Sequence, residues 1–339
     1  MPFERLTDRY VIGRMIEKIE HAELSSFILP FTGPIWGSNQ DLEEIAWPAA
    51  TPKMRAWDGE KQPVTLGEIE TSFEVSPYEG TLDFARKQWR LGKGRVNEAL
   101  ISDFADEPVR HWEDLLTTKM ELGTSTNSFD AQTYFSTTHS FGASGNFSNS
   151  ITYDAVDATA PTPDEMEKAI LAGIKQLYQQ KDSQGRKVNR GMKSVHVMLP
   201  IEYWDIALKA FSAALLATSG GAARDNTLVA LNSGIAGQQL SMSMSINVAL
   251  TWTDKLVVVR NDDTAQGLPA FIRGAQPPQA NESERPETLS EIQSFAVKVL
   301  GTDSDHHFNT GGIRVSIESD RVVQFGDFRK AVLVDIDTA

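Results

Sequence analysis

Phe129-Asp130-Ala131-Gln132-Thr133-Tyr134-Phe135-Ser136-Thr137-Thr138-His139, with Ser148-Asn149 a little further on, is the most informative stretch of the chain. It lies in a segment, from Met120 to Glu167, that contains no Lys or Arg and is dense in Ser, Thr, Asn and Gly. Taken alone, that composition describes a flexible linker. Phe129, Tyr134, Phe135, Phe141, Phe147 and Tyr153 argue against it, because a tract with six aromatic rings has too much apolar surface to stay disordered. A long ordered loop holding short strands is expected.

Working outward, apolar positions recur at near three-to-four spacing from about Leu82 to Leu122 (Phe84, Trp89, Val96, Leu100, Phe104, Val109, Trp112, Leu116, Met120), with a break at Asp106-Glu107-Pro108. Proline suits a first helical turn and glycine a stop, so a helix should run from Pro108 to Gly123. Downstream, Pro163-Asp164-Glu165 opens a helix ending near Lys181, Lys193–Leu199 alternates as a strand, and Pro200 to about Ala217 reads as an amphipathic helix closed by Gly220-Gly221. Further strands are expected at 245–251, 255–260, 270–273 and 292–300, then a terminal pair, Ile313–Ser319 and Ala331–Ile336, around Gly326. Helices and strands alternate without a regular βαβ period, which favours an α+β fold.

Upstream the texture differs. Residues 4–29 have a roughly helical period (Leu6, Tyr10, Met15, Ile19, Leu24) and make a short arm ending at Pro30. Pro30, Pro34, Pro48, Pro52, Pro63 and Pro77 then exclude a long helix, so the chain is extended, returning through strand material at 64–76. This excursion carries Trp36, Trp47 and Trp57, and an extended ribbon cannot bury three indoles against itself. Trp36 and Trp47 suit either the chain's own core or a partner. Trp57, beside the Asp58-Gly59 turn signal, reads as a loop tip that meets a partner.

Composition narrows the chemistry. The 339 residues are 40% hydrophobic and 23% charged, a globular balance, and the net charge of −14 disfavours a broad grip on nucleic acid phosphates or anionic lipid. There is no Cys, so disulfides, thiolate nucleophiles and Cys-based metal sites are excluded. No membrane-length apolar run and no signal-peptide layout appear, so a soluble protein made in the cytoplasm is expected. Phosphate-loop, nucleophile-elbow and His-Glu-x-x-His motifs are absent; Leu91-Gly92-Lys93-Gly94-Arg95 has the wrong spacing and reads as a basic turn. Asp303-Ser304-Asp305-His306-His307 is the one cluster with metal-ligand residue types, and a solvated turn between two strands is the preferred reading of it. Thr137-Thr138-His139 near Asp130 matches no activated nucleophile, and a hydrogen-bonded loop histidine is preferred. No cofactor, metal site or catalytic residue is assigned, and no enzyme is expected.

The 129–149 stretch resembles the Mu-like phage major head subunit (gpT-like) family, departing at Phe129 and Ala131, where Tyr and Gly are usual. The resemblance implies the Hong Kong 97-type capsid fold: an N-terminal arm at 1–35, an extended loop (E-loop) at 36–82, a peripheral domain with a spine helix at 83–160, an axial domain at 161–303, and C-terminal strands returning at 304–339. It implies a major capsid protein that self-assembles into hexamers and pentamers of an icosahedral shell, located in the virion and assembled in the host cytoplasm. Portal, scaffolding and decoration proteins are further partners that it allows, any scaffolding function being a separate protein or already removed. Double-stranded DNA is enclosed without sequence-specific binding, and no membrane is involved. Interfaces of such shells bury about 2,000 Å² or more, with Trp36, Trp47 and Trp57 as candidate anchors and Lys53, Arg55 and Lys61 meeting acidic rims. Some shells of this fold form Lys–Asn isopeptide links; for Lys53 and Lys61 an ordinary salt bridge is preferred. A tail-tube or other virion structural subunit is the alternative reading, though a tail-tube or fibre subunit should lack the three helices above; a metal-dependent enzyme is the weaker one.

Overall fold

The computed structural model describes residues 8–38, 42–50, 54–61, 67–85, 94–218, 221–233, 240–262, 268–277, 288–289, 294–300 and 304–338. Leu6, Pro52, Lys53, Pro63, Trp89, the Leu91-Gly92-Lys93 part of the basic turn, Gly220 and Asp303 lie outside them. The chain opens with helices α1 (Asp8–Ser25) and α2 (Ile28–Thr32), strands β1 (Ile35–Gly37), β2 (Leu42–Pro48), β3 (Glu68–Glu74) and β4 (Ser76–Phe84), and helices α3 (Gly94–Ala105) and α4 (Glu107–Leu122). Strands β5 (His139–Ser140), β6 (Asn146–Phe147) and β7 (Ser150–Ala155) precede helix α5 (Pro163–Gln179), strand β8 (Ser194–Pro200), helix α6 (Trp204–Ser212), strands β9 (Leu215–Ala217) and β10 (Ala223–Asp225), and helix α7 (Thr227–Asn232). Strands β11 (Ser241–Asn247), β12 (Lys255–Arg260), β13 (Phe271–Gln276), β14 (Thr288–Leu289) and β15 (Ala296–Leu300) lead to helix α8 (Asp305–Thr310) and strands β16 (Ile313–Phe325) and β17 (Ala331–Thr338).

The chain divides into two compact units. The first comprises residues 1–43, 72–116 and 272–324. Its sheet runs β14-β1-β13-β16-β15, with β4 also pairing β16. Met15 and Ile19 of α1 are buried with Phe84, Ile101, Val109 and Val315, so this helix belongs to the core of the unit. Helix α4 buries Val109, Trp112 and Leu116 at helical spacing. Trp112 is covered by two buried arginines, with Arg321 4.5 Å and Arg273 5.6 Å from its ring. Their charged heads are held by carbonyls: Arg321 donates to Pro108 O at 2.7 Å and Arg273 to Gly33 O at 2.9 Å.

The second unit comprises residues 44–71, 117–271 and 325–339. Its sheet runs β11-β8-β12-β17-β7. The central strands are near-continuous Val and Leu runs, as a sheet buried on both faces requires. Helix α5 packs on it through Met166, Ile170, Ile174 and Leu177, and starts at a capping box in which Thr162 and Glu165 satisfy each other's backbone N–H. Gly173 lets the helix approach, because a Cβ there would lie 2.8 Å from Val258.

Several sequence expectations are corrected. Residues 82–84 do not begin a helix; they end β4, which pairs antiparallel with β16 from Ser76↔Arg321 to Phe84↔Ile313. A partner more than two hundred residues away overrides the local period. The helix expected to reach Ala217 stops at Ser212, because Asn226 donates to Ala210 O and Ala213 O and takes its last carbonyls; Leu215–Ala217 becomes a strand instead. The strand expected at 245–251 lies earlier, at Ser241–Asn247. The two terminal strands do not pair with each other: β16 joins β15 and β4, whereas β17 joins β12 and β7. Gly326 separates them, and a Cβ there would sit 2.2 Å from Pro269 O, which only glycine tolerates.

Asp164 and Glu167, almost fully buried on α5, share Arg224 from β10. Burial opposes ionisation of Asp164, but Lys168 and Arg224 outweigh it and hold its carboxyl below the ordinary value. Removing the arginine leaves Glu167 buried without its cation and Asp164 with Lys168 alone. Arg224→Met is expected to cost about 3 kcal/mol, read as a lowered urea midpoint with an unchanged slope.

Candidate functional site

The segment 123–149 folds back on itself through backbone contacts, with Phe135 N–H donating to Gly123 O at 2.8 Å and Tyr134 N–H to Thr126 O at 3.0 Å. These bonds place Asp130, His139 and Asn149 in one buried chain. His139 Nδ1 lies 2.6 Å from Asp130 Oδ2 and its Nε2 lies 2.9 Å from Asn149 Oδ1. Asn149 Oδ1 also accepts the Ser136 N–H at 2.8 Å, which sets the amide orientation and makes Nε2 a donor. Asn149 Nδ2 donates to Tyr134 O at 2.8 Å and to Phe328 O at 3.2 Å. One side chain thus ties the loop to the C-terminal turn.

The His139 ring stacks flat on Phe328, 3.8 Å between centroids and 6° between planes. Phe129 stacks on the same Phe328 at 4.7 Å. Asp327 caps the turn that carries Phe328 and pairs with Arg329 through both carboxylate oxygens. Burial would raise the Asp327 carboxyl, but the Arg329 guanidinium and its hydrogen bonds outweigh that and hold it below its ordinary value. Burial, with the Asp327 charge, pushes the Tyr134 phenol well up, so it stays a donor, here to Ala270 O.

An Asp–His pair is also the acid–base half of a hydrolytic site, but the arrangement has no such use. His139 is fully buried, and its Nε2 faces an amide oxygen rather than a hydroxyl. Its bonds position backbone. Residues 304–310, the other cluster of interest, form the short helix α8 capped by Ser304, rather than the expected turn. There His307 Nδ1 meets Gly312 O and His306 faces Asp83, and no three His, Asp or Glu side chains converge on a common point among the described residues.

The same buried chain roots the extended excursion. Trp47 meets Phe129 edge-on at 5.9 Å, Arg329 donates to Ala49 O at 3.3 Å, and Ala49 N–H donates to Gly67 O at 2.9 Å. Past that root every residue from Met54 to Lys61 is exposed, with Met54 100% and Trp57 80% accessible. Arg55 closes the tip by donating to Glu60 O at 2.8 Å, 3.8 Å from Asp58, around Gly59 at φ +99°. Of the six candidate contact residues, Trp57, Arg55 and Lys61 are therefore displayed at the tip. Trp36 and Trp47 are half-buried in β1 and β2, their indole N–H groups covered and without a partner among the described residues. Lys53 lies outside the described residues.

Residues 35–161 match the sequence model of the family described as Mu-like prophage major head subunit gpT. No curated protein matches the sequence. Among solved structures, the mature capsid of bacteriophage PhiM1 is similar at 9% identity and TM-score 0.54, over 93% of this chain and 88% of that one. The capsid of cyanophage P-SCSP1u is similar at 9% identity and TM-score 0.52, over 91% and 87%. The chain has the Hong Kong 97-type capsid fold and, over its 35–161 segment, is similar to the Mu-like major head subunits.

Asn149→Ala removes an acceptor and a double donor from a buried network, and a loss of about 3 kcal/mol is expected by chemical denaturation. Ala131 holds φ +61°, a region that favours glycine, at the position where the resembled family usually has glycine. Ala131→Gly is expected to raise stability by about 0.5–1 kcal/mol in the same assay.

Proposed function

We propose that this chain is a major capsid protein, many copies of which assemble into the shell of a phage head. The observation that carries the reading lies in one segment. Residues 35–161, which match the Mu-like head subunit, hold both the buried Asp130–His139–Asn149 chain and a loop on which Met54 and Trp57 are exposed among the described residues. An isolated subunit has no use for a rooted loop with a bare indole at its tip; a subunit lying across its neighbour does. The role is structural rather than catalytic, and the place of the protein is the virion.

The finer reading rests on the family resemblance. Residues 36–82 are the extended loop and α4 is the spine helix of a peripheral domain spanning 83–160. Residues 1–35 form the arm, 161–303 the axial domain and 304–339 the returning strands. Copies group as hexamers and pentamers through heterologous contacts closed by symmetry, and assembly takes place in the host cytoplasm. Portal, scaffolding and decoration proteins are the expected partners. The net charge of −14 suits a shell that encloses double-stranded DNA without gripping its phosphates. Helices Glu107–Leu122, Pro163–Gln179 and Trp204–Ser212 weigh against the tail-tube alternative.

Electron microscopy of the purified chain is expected to show capsomers or closed shells. Trp57→Ala should raise the protein concentration needed for assembly about tenfold or more, the range of one lost interface anchor, while leaving the melting temperature of the unassembled chain unchanged. A wild-type chain that stays monomeric under all conditions counts against the reading.

A further inference from the structure

The first unit carries an open cleft of about 150 Å³ between the start of β4, the end of α3, the first turns of α4 and the middle of β16. Tyr78, Phe104, His111 and Ile317 line it. Tyr78 and His111 already meet at 4.3 Å between ring centroids with planes at 61°, leaving Tyr78 38% exposed. Gly80 shapes the wall, since a Cβ there would sit 3.1 Å from the Phe104 ring. Glu79 and Glu107 stand exposed at the rim, and neither makes an ion pair among the described residues. The cleft is thus largely aromatic inside, with the buried Arg321 in its lining, and carries two exposed carboxylates at its mouth.

We propose that this cleft is the seat of Trp57 from a second copy of the chain. The inference rests on the assembly reading above and names the receptor that the displayed loop requires. Trp57 is the large aromatic of an irregular loop whose every described tip residue is exposed. Charge favours it as the occupant. Arg55 lies against Asp58, so the cation left without a partner among the described residues of the tip is Lys61, four positions beyond the indole. A tryptophan entering an aromatic-lined cleft while a nearby ammonium meets two unpaired carboxylates at the rim combines an anchor in a desolvated pocket with a steering contact outside it. The loop and the cleft are different surfaces, so the contact is heterologous and repeats from copy to copy, as a ring or shell requires.

The absence of cysteine makes the test clean. Ala56→Cys and Ser319→Cys, a cleft-lining position, are combined in one chain, assembled and mildly oxidised. A ladder of linked multimers on a non-reducing gel, absent with either cysteine alone, is the expected result. In parallel, Lys61→Glu and Glu107→Lys should each raise the concentration needed for assembly about tenfold, and the two together should restore it. Particles that form without the ladder, or a double reversal no better than either single one, overturn this inference and leave the assembly reading intact. A ladder from Phe308→Cys with Ser319→Cys in its place assigns the cleft to the 89% exposed Phe308 and also overturns it. A wild-type chain that never assembles overturns both.

Discussion

The contact on which the second unit depends is the buried imidazole of His139, held at one nitrogen by Asp130, at the other by Asn149, and on its face by Phe328. Burying three polar side chains is costly unless each is satisfied, and here each is. The loop between α4 and β7 has almost no regular structure to hold its backbone. The polar chain holds it instead, by placing bonds on Ser136 N–H, Tyr134 O and Phe328 O. The C-terminal turn is locked in return by the Asp327–Arg329 pair, whose guanidinium reaches Ala49 O.

That reach links stability to function. The root of the excursion, Trp47 to Ala49, is packed against the same aromatic and charged cluster, whereas its tip is bare. Holding the root removes some of the freedom that the excursion would otherwise lose on meeting the partner proposed above. A residue type common in catalysis thus serves a mechanical purpose at residues 129–149. A chain without cysteine has no disulfides to draw on, so the strength of the shell proposed above would have to come from many overlapping contacts.

Much of this arrangement is legible in the residues themselves. The aromatic content of 129–153 predicts an ordered loop, and residues 123–149 fold so that Asp130 and His139 meet. The reading of His139 as a hydrogen-bonded loop residue follows from the lack of a spaced nucleophile. The departure at Ala131 is visible in the letters, but its meaning is not. Only the backbone angle of +61° explains why glycine is at home there. Asn149 is visible as part of a motif, yet that it takes four hydrogen bonds, one of them to the far C-terminal turn, depends on residues remote in sequence.

The amino-acid order alone settles those elements whose signals are local. Pro108 and Gly123 bound one helix, and Pro163-Asp164-Glu165 opens another, because ring geometry and first-turn charge act within a few residues. The proline-rich excursion with a bare Trp57 at its tip is likewise written locally. Elements with distant partners are decided by the folded chain. Residues 76–84 become a strand because β16 pairs with them, the α6 helix ends because Asn226 captures its carbonyls, and β16 and β17 part into different sheets at Gly326. Long-range pairing outweighs local periodicity because each such ladder satisfies a row of backbone groups at once, a gain no window of neighbouring residues can reveal.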